Sequence, residues 1–513
     1  MKLSALTQEL IIEAITAAPS TTDPEVTAVC YDSRRVIPGA LFVAIEGFAV
    51  DGHRFIADAV SRGAAAVVCA KATSADAVVI RVADTRAALA RLARRFYGAP
   101  AEHLILVGVT GTSGKTTVTY LLERILEEAG HRPGVIGTIN FRYAGRSFPN
   151  PVTTPESLDL QHILRQMVDG GITHGVMEVS SHALDLHRVD GCRFDVAVFT
   201  NLSHDHLDYH GTMEGYWQSK RKLFSDYLKA ADSRTPVRAV INSDDSRGKE
   251  LAGVMGGAAL RTTVHADGDI FPREVVRDLA GLRGRLATPK GEIAFASPLV
   301  GGFNLENIIS AVGAALALGI SPTVIAAGIA ATACVPGRLE RITEGGERFI
   351  FVDYSHKPDA LQNAITALRE LTDGRLITVF GCGGDRDRTK RPVMGAIAAR
   401  LSDLTVVTSD NPRSEDPSQI IAEVESGVRQ VCNRRLAAQA LAGGWDGKGY
   451  LVEADRRAAI TAAIGAARPN DAVLIAGKGH ETYQILATET IHFDDREVAR
   501  EVLAAMKATG KGA

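Results

Sequence analysis

The stretch GVTGTSGKTTVT, Gly108 to Thr119, places Gly111, Gly114, Lys115, Thr116 and Thr117 where a phosphate chain could be held. Glycine lets backbone approach phosphate oxygens closely, and a helix N-terminus adds unpaired N–H groups and the positive end of its dipole. In such a loop a lysine reaches the outer phosphates, and the next hydroxyl ligates Mg²⁺. Here these are Lys115 and Thr116. The longer form of the motif has a glycine five places before the Gly-Lys pair, and that place holds Val109. The nearer glycine is Gly111, so the loop is a short one. An ordinary glycine turn ahead of a helix is the bland alternative. The preceding strand-like LILVGV, the Lys-Thr pair and the helical KTTVTYLLERILEEAG together favour a nucleoside triphosphate.

Other residues suggest further chemistry. Glu178 closes an apolar run, where an oxygen ligand for Mg²⁺ could meet phosphates. His204, His206 and His210 form H-x-H-x-x-x-H. Zinc would need a further ligand, and no cysteine or fourth partner is near in sequence. A surface cluster is the simpler one. Lys220 in YWQSKRKLF reads by spacing alone as a lysine snorkelling from an apolar helix face. In TSDNPRSEDP, the Asn411-Pro412 turn aims Arg413 into a crevice, where its guanidinium fork could pair with a carboxylate. A turn arginine in surface contact is the alternative.

The elements that must position these groups follow from pattern. With 513 residues, about three domains are expected. The first 20 residues read as an amphipathic helix carrying Glu9 and Glu13 rather than as a signal peptide. Up to residue 98, VTAVCYDS, GALFVAI and AAAVVCA read as strands, with a helix in GHRFIADAVSRG, giving a small α/β unit. FYGAPAEH reads as a linker. From 99 to 336, strands at 104–109, 173–179, 195–200 and 238–242 alternate with helices, which predicts a mostly parallel sheet. From 337 to 513, RFIFVDYS, LITVFGCGG, LTVVTSD and AVLIAGKG predict a Rossmann-like, doubly wound sheet. In such sheets ligands bind beyond the carboxyl ends of the strands, which here carry SHKPD, GCGGDRDR, SDNPRSEDP and GKGHETY. The uncharged stretch 308–337 is broken by LGISPT and reads as two buried helices, not a membrane span. Net charge of −3 gives no sign of nucleic acid or an anionic membrane as partner. Six scattered cysteines without C-x-x-C point to a reduced, cytoplasmic protein.

GVTGTSGKTT, TTPE, MEVSSHAL, TNLSHDHLDYHGT, YWQSKRKLF, GFNLEN, VPGRLE, VDYSHKPDAL, GCGGDRDRTKRP, DNPRSEDP and AGKGHETYQ occur together in this order. On these motifs the chain resembles the Mur ligases of peptidoglycan synthesis along nearly its whole length, and the family's phosphate loop has the short form seen here. The resemblance implies an ATP-dependent amide ligase acting on UDP-N-acetylmuramoyl-L-alanyl-D-glutamate. The D-glutamate side-chain carboxylate would become an acyl phosphate, and the amine of meso-diaminopimelate would displace phosphate from it.

It also implies roles. Gly111, Thr112, Ser113, Gly114, Lys115, Thr116 and Thr117 would hold ATP, with Asn304 and Asn307 near adenine. Arg338 and Asp353 would reach the nucleotide from the third domain, which requires that domain to swing onto the central one. Thr116, Glu178, His206 and Lys220 would serve metal, Lys220 as a carbamate. Tyr31, Ser33, Phe48, Ala49 and Val50 would hold uridine diphosphate, and Thr153, Thr154, Ser180 and Arg188 the muramoyl peptide. Position 186, where the pattern has glutamine, is Leu186; Lys357 stands where threonine is common and has no assigned role. Arg386, Asp410, Asn411, Pro412, Arg413, Gly477 and Glu481 would select diaminopimelate, because L-lysine would set an ammonium against Arg413. A monomer is expected. The rivals are a Mur ligase adding L-lysine or D-alanyl-D-alanine, a folylpolyglutamate synthase, and a non-catalytic nucleotide-binding module.

Overall fold

The computed structural model describes residues 1–16, 23–47, 50–229, 237–442 and 445–508. They form two compact units. One comprises Met1–Phe271, Ala287–Ile293 and Glu306–Gly328; the other comprises Pro272–Leu286, Ala294–Leu305 and Ile329–Ala513.

The first unit opens with a five-stranded sheet: β1 (Ala14–Thr16), β2 (Ala28–Cys30), β3 (Ala40–Val43), β4 (Ala66–Cys69) and β5 (Val78–Arg81). Its order is β1-β5-β4-β3-β2, parallel except for β1. This corrects the N-terminal expectation. Helix persists only over Leu3–Leu6, whose two leucines are buried, and the chain then turns into β1. The unpaired edge of β5 captures it: Ile15 pairs with Ile80, and the Glu13 amide donates to the Arg81 carbonyl.

A second sheet follows: β6 (Ile105–Thr110), β7 (Pro133–Ile136), β8 (Asn140–Tyr143), β9 (Arg146–Pro149), β10 (His174–Glu178), β11 (Val196–Phe199), β12 (Ala239–Asn242) and β13 (Ala259–Thr262). The order is β13-β12-β11-β6-β10-β7-β8-β9, and only the pairs β7–β8 and β8–β9 are antiparallel. Register sets Glu178 opposite Val109 and Phe199 opposite Thr110, so three strands deliver their last residues to one edge. The linker around Pro100 is a short 3-10 turn after helix Thr85–Phe96, which packs on helix Ser157–Asp169. Helices Gly302–Ala317 and Pro322–Ala331 break at LGISPT as expected. Among the described residues no helix is long and apolar enough to cross a membrane.

One sheet was not foreseen: β14 (Phe271–Asp278), β15 (Gly281–Ala287) and β16 (Ile293–Ser297). Its outer faces are half-exposed, so its apolar runs are diluted by charge.

The second unit holds β17 (Glu340–Ile342), β18 (Phe349–Asp353), β19 (Leu376–Phe380), β20 (Leu404–Val407), β21 (Gly449–Val452) and β22 (Ala472–Ala476). The order is β17-β18-β22-β19-β20-β21, parallel apart from β17–β18. Alternate residues enter opposite cores. Phe351, Phe380 and Leu474 join one cluster, while Ile350, Val352, Val379 and Val473 join the other. Both faces are therefore covered, which is the doubly wound arrangement read from the sequence. A two-stranded sheet, β23 (Tyr483–Ile485) and β24 (Thr490–His492), completes it.

Candidate active site

The phosphate loop spans the gap between β6 and helix Lys115–Glu128. Gly111 has φ +148°, and a Cβ there would stand 1.9 Å from Thr200 Oγ1. Gly114, which caps the helix, has φ +88°, and its Cβ would stand 2.3 Å from Asn307 Oδ1. Neither position admits a side chain, so the short loop needs both glycines. Two residues that sequence reasoning did not single out shape it. The Thr200 hydroxyl donates to the Ser113 carbonyl at 2.6 Å. Asn201 receives the Ser113 amide on Oδ1 at 2.9 Å and the Thr112 amide on its backbone carbonyl at 2.9 Å. Both follow β11 directly, beside β6; being the strand end next to the loop strand was the available signal. Lys115 Nζ lies across the loop, donating to the carbonyls of Gly111 at 2.8 Å and Thr112 at 3.0 Å. Thr116 and Thr117 are buried at the start of the helix.

Lys220 does not snorkel. It is 2% exposed, on helix Met213–Ser225. Its Nζ donates to the Gly111 carbonyl at 2.8 Å and lies 4.5 Å from the Tyr216 ring centre. Burial, and then the neighbouring charge of Lys115, push its amine well below the usual lysine range, with Asp205 opposing. The lysine therefore sits under the phosphate loop, in surroundings that weaken its amine's hold on a proton.

Glu178 is 1% exposed at the end of β10. Its carboxylate accepts from the Thr138 amide and hydroxyl, both at 2.9 Å, and the Thr138 hydroxyl meets that of Thr153 at 3.0 Å. Gly137 leaves the room for it: a Cβ there would stand 2.4 Å from Glu178 Oε1. Thr138 was missed in the sequence, where GTIN carries no recognisable motif. His206 caps the four-residue helix Leu207–His210 with φ +53°, and its ring stands against His182 and Tyr216. His210 is engaged by the hydroxyls of Ser181 at 2.9 Å and Ser219 at 3.3 Å. Among the described residues no three His, Cys, Asp or Glu side chains converge to hold a metal.

Thr154 and Ser180 form one hydroxyl–backbone cluster. Thr154 Oγ1 donates to the Glu178 carbonyl at 2.8 Å and accepts the Ser180 amide at 3.1 Å, while Ser180 caps helix Ser181–Asp185. Arg188 donates to the Thr154 carbonyl at 3.2 Å and faces Glu156, which also pairs with Arg86. Thr154 thus links Ser180 and Arg188 to the Glu178 backbone, and Thr153 reaches the Glu178 carboxylate through Thr138. Leu186 is half-buried at the end of that helix. In the first sheet, the Tyr31 hydroxyl donates to Asp159 at 2.5 Å. Tyr31 lines a cleft of about 230 Å³ with Arg35, Tyr97, Asp159 and His162. Ser33 is buried and Val50 exposed; Phe48 and Ala49 lie outside the described residues.

In the second unit the DNPR and GKGHE motifs meet. The Asn411 amide donates to Glu481 at 2.9 Å, and Gln484 donates to the Asp410 carbonyl at 2.6 Å. A Cβ on Gly477 would stand 3.1 Å from Asp410 Oδ2. Arg413 has φ +52°. The turn lies one residue later than the Asn411-Pro412 turn expected: Arg413 and Ser414 are its central residues, and the Glu415 amide closes it on the Pro412 carbonyl. Arg413 Nη1 donates to the Gly384 carbonyl at 2.8 Å, which directs the guanidinium across GCGGDRDR. The two loops are stapled: Glu415 accepts the Asp385 amide at 2.6 Å and both Nη groups of buried Arg391. Arg386 is exposed on this loop. Asp353 is buried at the end of β18, and its carboxylate accepts the Leu339 amide at 2.7 Å and the Ser355 amide at 2.9 Å. Burial raises its carboxyl group above the usual range. Arg338 stands over the Tyr354 ring at 5.2 Å. Asn304 is buried and donates to the Val300 carbonyl.

The short phosphate loop, the buried lysine beneath it and the two kinds of α/β sheet define a ligase architecture, and family comparison agrees. The Mur ligase middle domain matches residues 109–315, the Mur ligase glutamate ligase domain 337–479, and the Mur ligase family catalytic domain 25–97. The chain belongs to the Mur ligase family and has its three-domain α/β architecture. It is 49% identical over 491 residues to the UDP-N-acetylmuramoyl-L-alanyl-D-glutamate–2,6-diaminopimelate ligase of Geobacter sulfurreducens, covering 95% of this chain and 96% of that one. A solved structure of a ligase with that same name superposes with a TM-score of 0.68 at 32% identity, covering 94% of this chain and 95% of the other. The MurF ligase of Thermotoga maritima in complex with ADP shares the fold, with a TM-score of 0.59 at 21% identity over 95% and 98% of the two chains.

Proposed function

We infer that this chain is an ATP-dependent ligase that adds meso-diaminopimelate to UDP-N-acetylmuramoyl-L-alanyl-D-glutamate during peptidoglycan precursor synthesis. The observation that carries this reading is Lys220, buried with its amine 2.8 Å from the carbonyl of the phosphate-loop Gly111. A simple nucleotide-binding module has no use for a lysine held there.

A carboxylate is a poor electrophile. Transfer of the γ-phosphate makes it an acyl phosphate, and the acceptor amine then attacks the carbonyl carbon, expelling phosphate and releasing a proton. Positioning and charge neutralisation do the work in such transfers. In this reading Gly111 to Thr117 cradle the phosphates, and Lys115 turns from its loop carbonyls to the outer ones. Asn304, Asn307, Arg338 and Asp353 serve the nucleotide. Thr153, Thr154, Ser180 and Arg188 hold the muramoyl peptide, and Tyr31, Ser33 and the segment 48–50 the uridine diphosphate.

Mg²⁺ prefers oxygen ligands, keeps waters and takes phosphate oxygens, so a sparse protein set suits it. Thr116, Glu178 and, through a carbamate, Lys220 supply oxygen, and His206 lies near them in the family pattern; when bound, the ion offsets the charge of the phosphates. The carbamate forms when the neutral Lys220 amine adds to CO₂ and releases a proton, turning an amine into a carboxylate ligand.

Arg413 selects the acceptor, with Arg386, Asp410, Asn411, Pro412, Gly477 and Glu481. The division of labour is 1–98 for the UDP moiety, 99–336 for ATP and 337–513 for the amino acid. The enzyme works as a cytoplasmic monomer. The test is phosphate release from ATP. It requires both the UDP-muramoyl dipeptide and diaminopimelate; release at full rate with either omitted contradicts the reading.

A further inference from the structure

One charged side chain in the acceptor cluster has no part in the reading above. Lys478 follows β22 by two residues, and its side chain is 0% exposed. Lysine normally keeps its ammonium in water, and burying one costs several kcal/mol unless its partners are fixed. Here they are fixed. Nζ donates to Asn411 Oδ1 at 3.3 Å, to Glu481 Oε2 at 3.3 Å and to the Tyr483 carbonyl. Asp410 Oδ1 stands 3.8 Å away; it is buried and accepts no hydrogen bond.

The lysine and the Ile485 amide together fix which way the Asn411 amide points. Asn411 Oδ1 accepts from both Lys478 and the Ile485 amide at 3.0 Å, so Nδ2 must face Glu481, which it meets at 2.9 Å. The frame behind is equally rigid. Arg456 and Asp495, both 0% exposed, pair at 2.7 Å. Arg456 also donates to the carbonyls of Ser409 and Ala476, the residues just ahead of Asp410 and Gly477. The charges follow from composition. Asp410 and Glu481 alone would present two adjacent negative charges, and Lys478 between them leaves one. A single uncompensated negative charge suits one incoming ammonium, with Arg413 on the same loop available for a carboxylate.

We propose that Lys478 is a positioning residue for acceptor recognition: it orients Asn411 and Glu481 and cancels one of two carboxylate charges, leaving a receptor for the zwitterionic end of an amino acid. The proposal rests on the assignment of Asp410, Asn411, Arg413 and Glu481 to the acceptor.

The test is steady-state kinetics on the full chain for the wild type, Lys478→Met and Lys478→Arg, with folding checked by circular dichroism. In Lys478→Met the KM for meso-diaminopimelate rises roughly tenfold or more, the scale for losing hydrogen bonds to a charged group. The KM values for ATP and the UDP-muramoyl dipeptide stay at wild type, and kcat falls less than the acceptor KM rises. Lys478→Arg recovers part of the loss. An unchanged acceptor KM in folded Lys478→Met overturns the proposal, as does an equal rise in all three KM values, which marks a merely structural role. Should Lys478→Met not fold, Lys478→Arg decides. Its donors are re-spaced, so a raised acceptor KM with the other two unchanged supports the proposal, and a wild-type acceptor KM overturns it. If the wild type itself does not use diaminopimelate, the functional reading fails instead.

Discussion

Replacing Gly114 by alanine tests whether the loop before helix Lys115–Glu128 is the nucleotide site. Two costs fall on the variant. The backbone is left-handed, φ +88°, which costs an L-residue about 1–2 kcal/mol. The new Cβ would also stand 2.3 Å from Asn307 Oδ1, about 0.7 Å inside the 3.0 Å that real Cβ contacts respect. Asn307 is buried, so loop and side chain must part. A shift near 1 Å in a positioning group costs on the order of 100-fold in rate. Gly98→Ala supplies the control. Its φ is +70°, but nothing lies within 4 Å of the added Cβ. Both variants lose about 1 kcal/mol or more of stability, measured by chemical denaturation. Only Gly114→Ala raises the KM for ATP, by tenfold or more on the same positioning argument, and titration with a fluorescent ATP analogue shows the same weakening. Wild-type ATP affinity in Gly114→Ala, or equal ATP losses in the two variants, refutes the assignment.

Lys220→Arg keeps a long nitrogen-bearing side chain but cannot add CO₂. It loses at least about 100-fold in kcat, the scale for removing one preorganised electrostatic group, and a carbamate ¹³C resonance seen for the wild type in labelled bicarbonate is absent. Arg413→Ala raises the KM for diaminopimelate and narrows its preference over L-lysine, read from phosphate release with each acceptor. Burial holds His174, His356 and His480 near a pKa of about 4, against 6.5 unfolded. Between those values the unfolded chain binds protons that the folded one does not. Stability is therefore unaffected by these groups above pH 6.5 and falls as pH drops from 6.5 to 4. Urea midpoints across that range check it, and His174→Gln flattens part of the slope.

The sequence was most legible where strands end in polar, glycine-bearing motifs. The strand ends at Thr110, Glu178, Asp353 and Ala476 lie within a residue or two of where the apolar runs stop. That is because parallel strands buried on both faces read as continuous apolar runs. Legibility failed where tertiary contact overrides local pattern. The N-terminal segment has helical spacing, yet β5 offers it a ladder, and β1 forms. In the charged, half-exposed strands β14 and β15 the apolar signal is diluted. Lys220 and Lys478 look like surface lysines in a sequence. Their burial depends on partners more than sixty residues away, Gly111 for one and Asn411 for the other. Thr138 was invisible as a site residue because ordinary turns contain the same residue types, and Thr200 and Asn201, although inside TNLSHDHLDYHGT, were not singled out because their role is to hold the loop.

The central claim is that a carboxylate is energised by phosphate before the amine arrives. The direct measurement uses UDP-muramoyl dipeptide labelled with ¹⁸O in the D-glutamate side-chain carboxylate, turned over with ATP and meso-diaminopimelate. The account predicts released phosphate carrying one ¹⁸O per amide formed. Amide formation with unlabelled phosphate would contradict it.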